Sequence, residues 1–155
     1  MRIAVLGAEH AGEALTVQRA AYVTEAQRYR EPAIPPLTET LEQLRADLAS
    51  GVLAFGAWRG HRLVGAVRGR VDGTRMEVAR FVVAPDQQGS GIGAALLAAV
   101  QDAAPAQVSV FWLTTGERSD DNLSVYRRAG YVVTGRTTDS AGVGLVRLER
   151  PRPAR

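Results

Sequence analysis

A chain of 155 residues, 46% hydrophobic and 23% charged, is long enough to bury one core, and it has neither a signal peptide nor an apolar run able to span a membrane; the expected setting is cytoplasmic. It has no cysteine, which excludes disulfides, a thiol nucleophile and thiolate metal sites, and no lysine, which excludes Schiff-base chemistry. All nineteen basic residues are arginines, but they are scattered and the net charge is only +3, so the bias reads as that of a GC-rich coding sequence and carries no strong nucleic-acid signal.

The chain opens with a strand over Ile3 to Leu6. The following Gly7-Ala8-Glu9-His10-Ala11-Gly12 imitates a dinucleotide-binding turn, but Glu9 stands where the middle glycine must let a pyrophosphate approach. A helix is expected from Gly12 to Tyr29, with Leu15, Tyr22, Ala26 and Tyr29 on one face. The proline-rich segment 31–36 breaks it, and a second helix starts near Thr38 as N-cap, with Leu41, Leu44 and Leu48 inward. Three strands follow as a meander: Val52 to Trp58, Arg62 to Val71, and Thr74 to Val83, the last two joined by the hairpin turn Asp72-Gly73.

Pro85 stops the third of these strands, and Gln88-Gly89-Ser90-Gly91-Ile92-Gly93 opens a helix whose apolar face is Ile92, Ala95, Leu96, Ala99 and Ala103. A helix N-terminus has free N–H groups and partial positive charge, and glycines leave no Cβ to hold an anion away. This is therefore a candidate phosphate site, although it lacks the Gly-Lys-Ser/Thr of a P-loop. An apolar strand over Val108 to Thr114 is expected to be covered on both faces. Ser119 caps a helix from Asp120 to Ala129, strands over Tyr131 to Arg136 and Val143 to Glu149 close the chain, and residues 151–155 read as a flexible tail on a single domain of residues 1–150.

The turn Gln88-x-x-Gly91-x-Gly93 after a strand ending Val83-x-Pro85 resembles the acetyl-CoA pyrophosphate loop of the GNAT acetyltransferase superfamily. A second segment, Ser119 to Tyr131, is similar to that family's Asn/Ser-rich helix ending in Tyr-x-x-x-Gly-Tyr. The element order β-α-α-β-β-β-α-β-α-β-β matches over essentially the whole chain. The resemblance implies a mixed α/β (α+β) fold with a mostly antiparallel central sheet in which the fourth and fifth strands splay. It implies an N-acetyltransferase that moves an acetyl group from acetyl-CoA to a primary amine, on a small molecule or a peptide, by direct attack in a ternary complex. No metal is implied; a homodimer is a family habit.

By the same resemblance, the backbone of Phe81, Val82 and Val83 pairs with the pantetheine arm. The N–H groups of Gln88, Gly89, Ser90, Gly91, Ile92 and Gly93 hold the pyrophosphate. Tyr126 matches the tyrosine that protonates the departing thiolate; read from spacing alone it is a half-buried aromatic on the core face of its helix. Asn122, or Ser119 in its place, bonds the cysteamine end, and Asn122 is otherwise a first-turn capping partner. Glu77 is either the general base or half of a cross-strand ion pair with an arginine. Tyr22, Glu25, Tyr29, Glu31 and Glu39 sit where the acceptor binds, and aromatics with carboxylates suit a cationic amine. His10 and His61 are too far apart to share a metal and receive no role.

Two other function classes remain open on the residues. Gly89-Ser90-Gly91-Ile92-Gly93-Ala94 also satisfies the dinucleotide fingerprint, as in an oxidoreductase, but residues 84–88 separate strand from glycine and little chain remains for a second nucleotide-binding half. A non-catalytic acyl-CoA-binding module on the same fold has no need of a proton donor at Tyr126.

Overall fold

The computed structural model describes residues 1–154. Strand β1 (Arg2–Val5) leads through a 3-10 turn into α1 (Ala11–Tyr29), α2 (Pro35–Thr38) and α3 (Leu41–Ala49). The meander β2 (Leu53–Arg59), β3 (Arg62–Asp72) and β4 (Arg75–Val83) follows. A second 3-10 turn (Pro85–Gln87) precedes α4 (Ile92–Asp102), then β5 (Val110–Gly116), α5 (Asp120–Arg128), β6 (Val132–Thr138) and β7 (Gly144–Pro151).

The seven strands form one sheet in the order β1-β2-β3-β4-β5-β7-β6. All neighbours are antiparallel except β4 and β5. That parallel contact holds for three residue pairs, ending at Glu77 opposite Trp112, after which the strands part. The mixed sheet with splayed fourth and fifth strands is thus observed. Because β1 is an antiparallel edge strand, the N-terminal glycine turn belongs to no parallel nucleotide-binding unit.

Helices α1 and α3 cover one face of the sheet, where Leu15, Leu44 and Leu48 meet Ala54, Trp58 and Ala66. Helix α4 covers the other, with Leu96, Leu97 and Val100 against Val64, Val67 and Met76. Strand β3, between the two layers, is buried from Leu63 to Gly69 on both sides. Strand β5 is not: Phe111 and Leu113 enter the core, while the half-exposed Trp112 faces the uncovered side and carries the Arg147 guanidinium 4.5 Å from its ring centre.

Several local expectations shift. The cap of the second long helix is Thr40, whose hydroxyl accepts the Gln43 N–H at 3.1 Å, and not Thr38. The prolines that end α1 start α2, because Pro at the first helical position sacrifices no hydrogen bond. The inner stripe of α4 is Ile92, Leu96 and Val100, with Leu97 alongside, whereas Ala103, just past its end, is exposed; larger apolar side chains gain more from burial than alanine does. The sheet continues through Pro151, and Arg152 is tied down: its N–H donates to Ser109 O at 2.8 Å, and its guanidinium donates to the carbonyls of Ala104, Pro105 and Val108 beyond the end of α4.

Candidate active site

The Gly-rich turn is built for close approach. Gly89 and Gly91 have φ of +80° and +84°, and a Cβ on either would point into open space, so backbone conformation is what selects glycine there. Gly91 is the N-cap of α4 and has no side chain to satisfy the first N–H groups, which are left for a ligand. Gly93 is chosen for packing: a Cβ would lie 2.9 Å from the Phe81 ring. The Ile92 side chain is in the core, and the Ser90 hydroxyl donates to Gln87 O at 2.6 Å. A bidentate pair between Arg62 and Asp86, both contacts 2.7 Å, ties the entry of the turn to the start of β3.

A cavity of about 170 Å³ runs from this turn to the splay, lined by Gln88, Gly91, Gly93, Phe81, Val83 and Asn122, among others. Past Glu77 the β5-facing edge of β4 has no strand partner, so the backbone of Phe81, Val82 and Val83 borders this cavity on an unpaired edge. Arg80 has φ of +50° and marks a bulge where β3 and β4 lose register. The bulge reverses the inside–outside phase of the strand: Glu77 precedes it, and Phe81 follows it against Gly93.

A second cavity of about 270 Å³ abuts the first, and Tyr22, Glu25, Phe81 and Asn122 belong to both. Glu77 lies at its inner end, at the last β4–β5 pair. The expected ion pair of Glu77 is absent among the described residues, because Arg70, its cross-strand neighbour, is held by Asp47 at 2.6 and 2.8 Å. Burial pushes the Glu77 carboxyl above its ordinary 4.5, against the opposing fields of Arg70, Arg80 and Arg147. Tyr126 lines the same cavity at 6% exposure, its ring 5.7 Å from that of Phe81 and 6.1 Å from that of Tyr131. Burial raises its phenol well above 10, which keeps it protonated.

Ser119 occupies the N-cap position of α5, but its hydroxyl caps nothing. It donates to Glu25 Oε2 and accepts from the Tyr29 hydroxyl at 2.8 Å; that hydroxyl in turn accepts the Arg118 N–H at 2.8 Å. Glu25 Oε1 accepts from Arg28 at 2.9 Å. This polar strap joins the end of α1 to the start of α5 across the mouth of the splay. Gly116 makes room for it, since a Cβ there would stand 2.0 Å from the Tyr29 oxygen. Asn122 is left bordering both cavities, while Ser119 is consumed in the strap.

Of the other acceptor candidates, Tyr22 and Tyr29 line the second cavity, but Glu31 and Glu39 do not. Glu31 accepts the Ala33 N–H in an exposed turn. Glu39 closes a network on the buried Arg68, whose guanidinium donates to Glu39 at 2.7 and 3.0 Å, to Asp47 at 2.8 Å and to Gln18 at 2.9 Å. The same carboxylate holds Arg80 at 3.3 Å and so braces the bulge. Helical periodicity passed over Gln18 because it looks only for apolar positions; an arginine inside the apolar run of β3 was the available signal that buried partners must exist. His10 accepts the Gly7 N–H through Nδ1 at 3.0 Å, a local contact at the start of α1.

A family model described as an acetyltransferase (GNAT) domain matches residues 21–150. No curated protein matches the sequence. Among solved structures, the chain is similar to the ribosomal-protein-alanine N-acetyltransferase of Brucella melitensis, with TM-score 0.75 at 19% identity over 97% of this chain and 99% of that one. PaiA N-acetyltransferase from Thermoplasma acidophilum, solved in complex with coenzyme A, gives TM-score 0.76 at 18% identity over 97% and 98%. YncA from Salmonella typhimurium, solved with acetyl-CoA, gives 0.78 at 14% identity over 100% and 95%. At these identities the structural likeness speaks for the fold.

Proposed function

The chain belongs to the GNAT acetyltransferase family, and we propose that it transfers the acetyl group of acetyl-CoA to a primary amine by direct attack in a ternary complex. The observation that carries this reading is the meeting of two cavities at the splay, one opening on a bare helix N-terminus and the other on a carboxylate and a buried phenol. The residues of the first cavity fit acetyl-CoA: N–H groups at Gly91 and beyond for the pyrophosphate, the unpaired edge of residues 81–83 for the pantetheine amides, and Asn122 for the cysteamine end. When bound, acetyl-CoA supplies an activated acetyl carbon on a thiolate leaving group.

In this reading Glu77 takes a proton from the acceptor ammonium, directly or through water, and leaves the nitrogen lone pair free. A C–N bond forms at the carbonyl carbon, the C–S bond breaks with its electron pair leaving on sulfur, and the second proton shed by the nitrogen passes through water to replace the one Tyr126 gives up. Tyr126 donates its hydroxyl hydrogen toward that sulfur. Its phenol lies well above an ordinary thiol, so full proton transfer is uphill if the thiolate keeps its solution basicity. Burial beside Tyr126 offsets this, because desolvation raises the proton affinity of a thiolate as it does that of a phenolate.

The test is thermal unfolding with CoA, acetyl-CoA or NADH. A ligand at 100 times its dissociation constant stabilises by about 2.7 kcal/mol, a shift of several degrees for a chain of this size. The expected result is stabilisation by CoA and acetyl-CoA and none by NADH; stabilisation by NADH alone overturns the reading.

A further inference from the structure

The second cavity is the acceptor side of the proposed reaction, and its charges are nearly all spent. Four charged side chains line it: Glu25, Glu77, Arg80 and Asp139. Both oxygens of Glu25 are taken, one by Arg28 and one by Ser119. Arg80 is paired with Glu39. Asp139 accepts the N–H groups of Ala141 and Val143 at 2.8 and 2.9 Å, which closes its own loop. Glu77 alone has no partner among the described residues. The three arginines facing it are engaged elsewhere: Arg70 with Asp47, Arg80 with Glu39, and Arg147 on the Trp112 ring and beside Glu149.

The rest of the wall mixes Ile34, Val78, Val143, Leu145 and the rings of Tyr22 and Phe81 with the hydroxyls of Thr114, Tyr29 and Tyr126 and the Asn122 amide. A cavity of this kind offers one carboxylate without a partner, among aliphatic and aromatic side chains interrupted by neutral polar groups. A second cation would find, besides Glu77, only Asp139, whose Oδ1 already accepts two backbone N–H groups, and it would give up part of its hydration to reach it. The volume also sets a scale. A 150 Å³ apolar cavity holds benzene, so about 270 Å³, shared with the acetyl end of the donor, covers a body of about a dozen non-hydrogen atoms.

We propose that the acceptor is a monocationic primary amine with a small apolar or aromatic body, of the arylalkylamine kind, whose ammonium is drawn to Glu77. Polyamines and aminoglycosides, with several cations, are disfavoured because Arg28 and Ser119 hold Glu25 and the Asp139 loop holds Asp139. Amino acids are disfavoured because their α-carboxylate would stand beside the Glu77 carboxylate when the ammonium reaches it. The proposal rests on the acetyl-transfer reading, and its test separates the two.

Release of CoA thiol from acetyl-CoA is followed with phenethylamine, spermidine, kanamycin and phenylalanine at equal concentration, beside calorimetric titration with CoA. The expected result is CoA binding and a kcat/KM for phenethylamine at least about tenfold above the other three. In Glu77→Gln that value falls about tenfold or more while CoA affinity is unchanged, since the carboxylate faces the amine and not the donor loop. Preference for spermidine, kanamycin or phenylalanine, or CoA binding with no turnover of phenethylamine, overturns the acceptor class and leaves acetyl transfer standing. Failure to bind CoA overturns both.

Discussion

Tyr126 is a case where one side chain serves packing and chemistry together. Its ring is part of the core against Phe81 and Tyr131, and its place in the second cavity puts it beside the splay. Removing the hydroxyl alone separates these roles. Tyr126→Phe keeps the ring contacts, so affinity for acetyl-CoA measured by calorimetry is expected to stay within about twofold while turnover falls about tenfold or more, the usual scale of a lost proton donor. Unchanged turnover removes Tyr126 from the mechanism. Spacing on α5 identified the residue as inward-facing, but inward toward core and inward toward a cleft look the same in a helical repeat. Glu77 shows the converse. Its strand position was legible, and its freedom from an ion pair was not, because that depends on Asp47 having taken Arg70 from another element.

At the scale of elements, the site exists because β4 and β5 pair for three residues and then separate. Such an opening leaves backbone groups unpaired and needs bracing from outside the sheet. The strap of Glu25, Ser119, Tyr29 and the Arg118 N–H supplies it between α1 and α5. Tyr29→Phe keeps the ring beneath Arg118, 4.9 Å from its guanidinium carbon, and deletes both hydroxyl contacts. The expected cost is about 0.5–1.5 kcal/mol, because Ser119 keeps its bond to Glu25 and the exposed Arg118 N–H exchanges the hydroxyl for water. Amide hydrogen exchange reads this locally: the Arg118 amide should exchange at least about tenfold faster, with the β2–β3 ladder unaffected. Gly116→Ala should do the same by displacing the Tyr29 hydroxyl. Slowed or unchanged exchange at Arg118 in both variants means that the strap bears no load. The sequence presented Ser119 as a plain helix cap, since the competing acceptor, Glu25, lies ninety-four positions away.

Across the whole molecule, the Arg68 network ties α1, α3, β3 and the β4 bulge into one body. Burial alone would raise the Glu39 carboxyl, but hydrogen bonds from Arg68 and Gln18 and the charges of Arg68 and Arg80 outweigh it and hold the group at about 2, below its ordinary 4.5. A carboxyl depressed in the folded state stabilises above its unfolded value and loses that contribution as pH falls through the folded one. Glu39→Gln, which mimics the protonated acid, should therefore cost about 3 kcal/mol near pH 7. That penalty should shrink between pH 4.5 and pH 2 until wild type and variant melt together. Melting curves over that range check it, and a penalty independent of pH assigns Glu39 a packing role only.

The order of elements, the meander and the Gly-rich turn before α4 were determined by the sequence itself. They rest on hydrophobic period, turn residues and glycine conformations, and each of these is decided by neighbours within a few positions. The fate of the charges was decided only by tertiary structure. Nineteen arginines offer every carboxylate many partners on paper, and pairing energies depend on distance and burial that no local pattern carries. Folding gave Arg68 to Glu39 and Asp47, and Arg28 to Glu25, across 29, 21 and 3 positions of chain. It left Glu77 alone at the vertex of the splay, and that remainder is what the proposed chemistry uses.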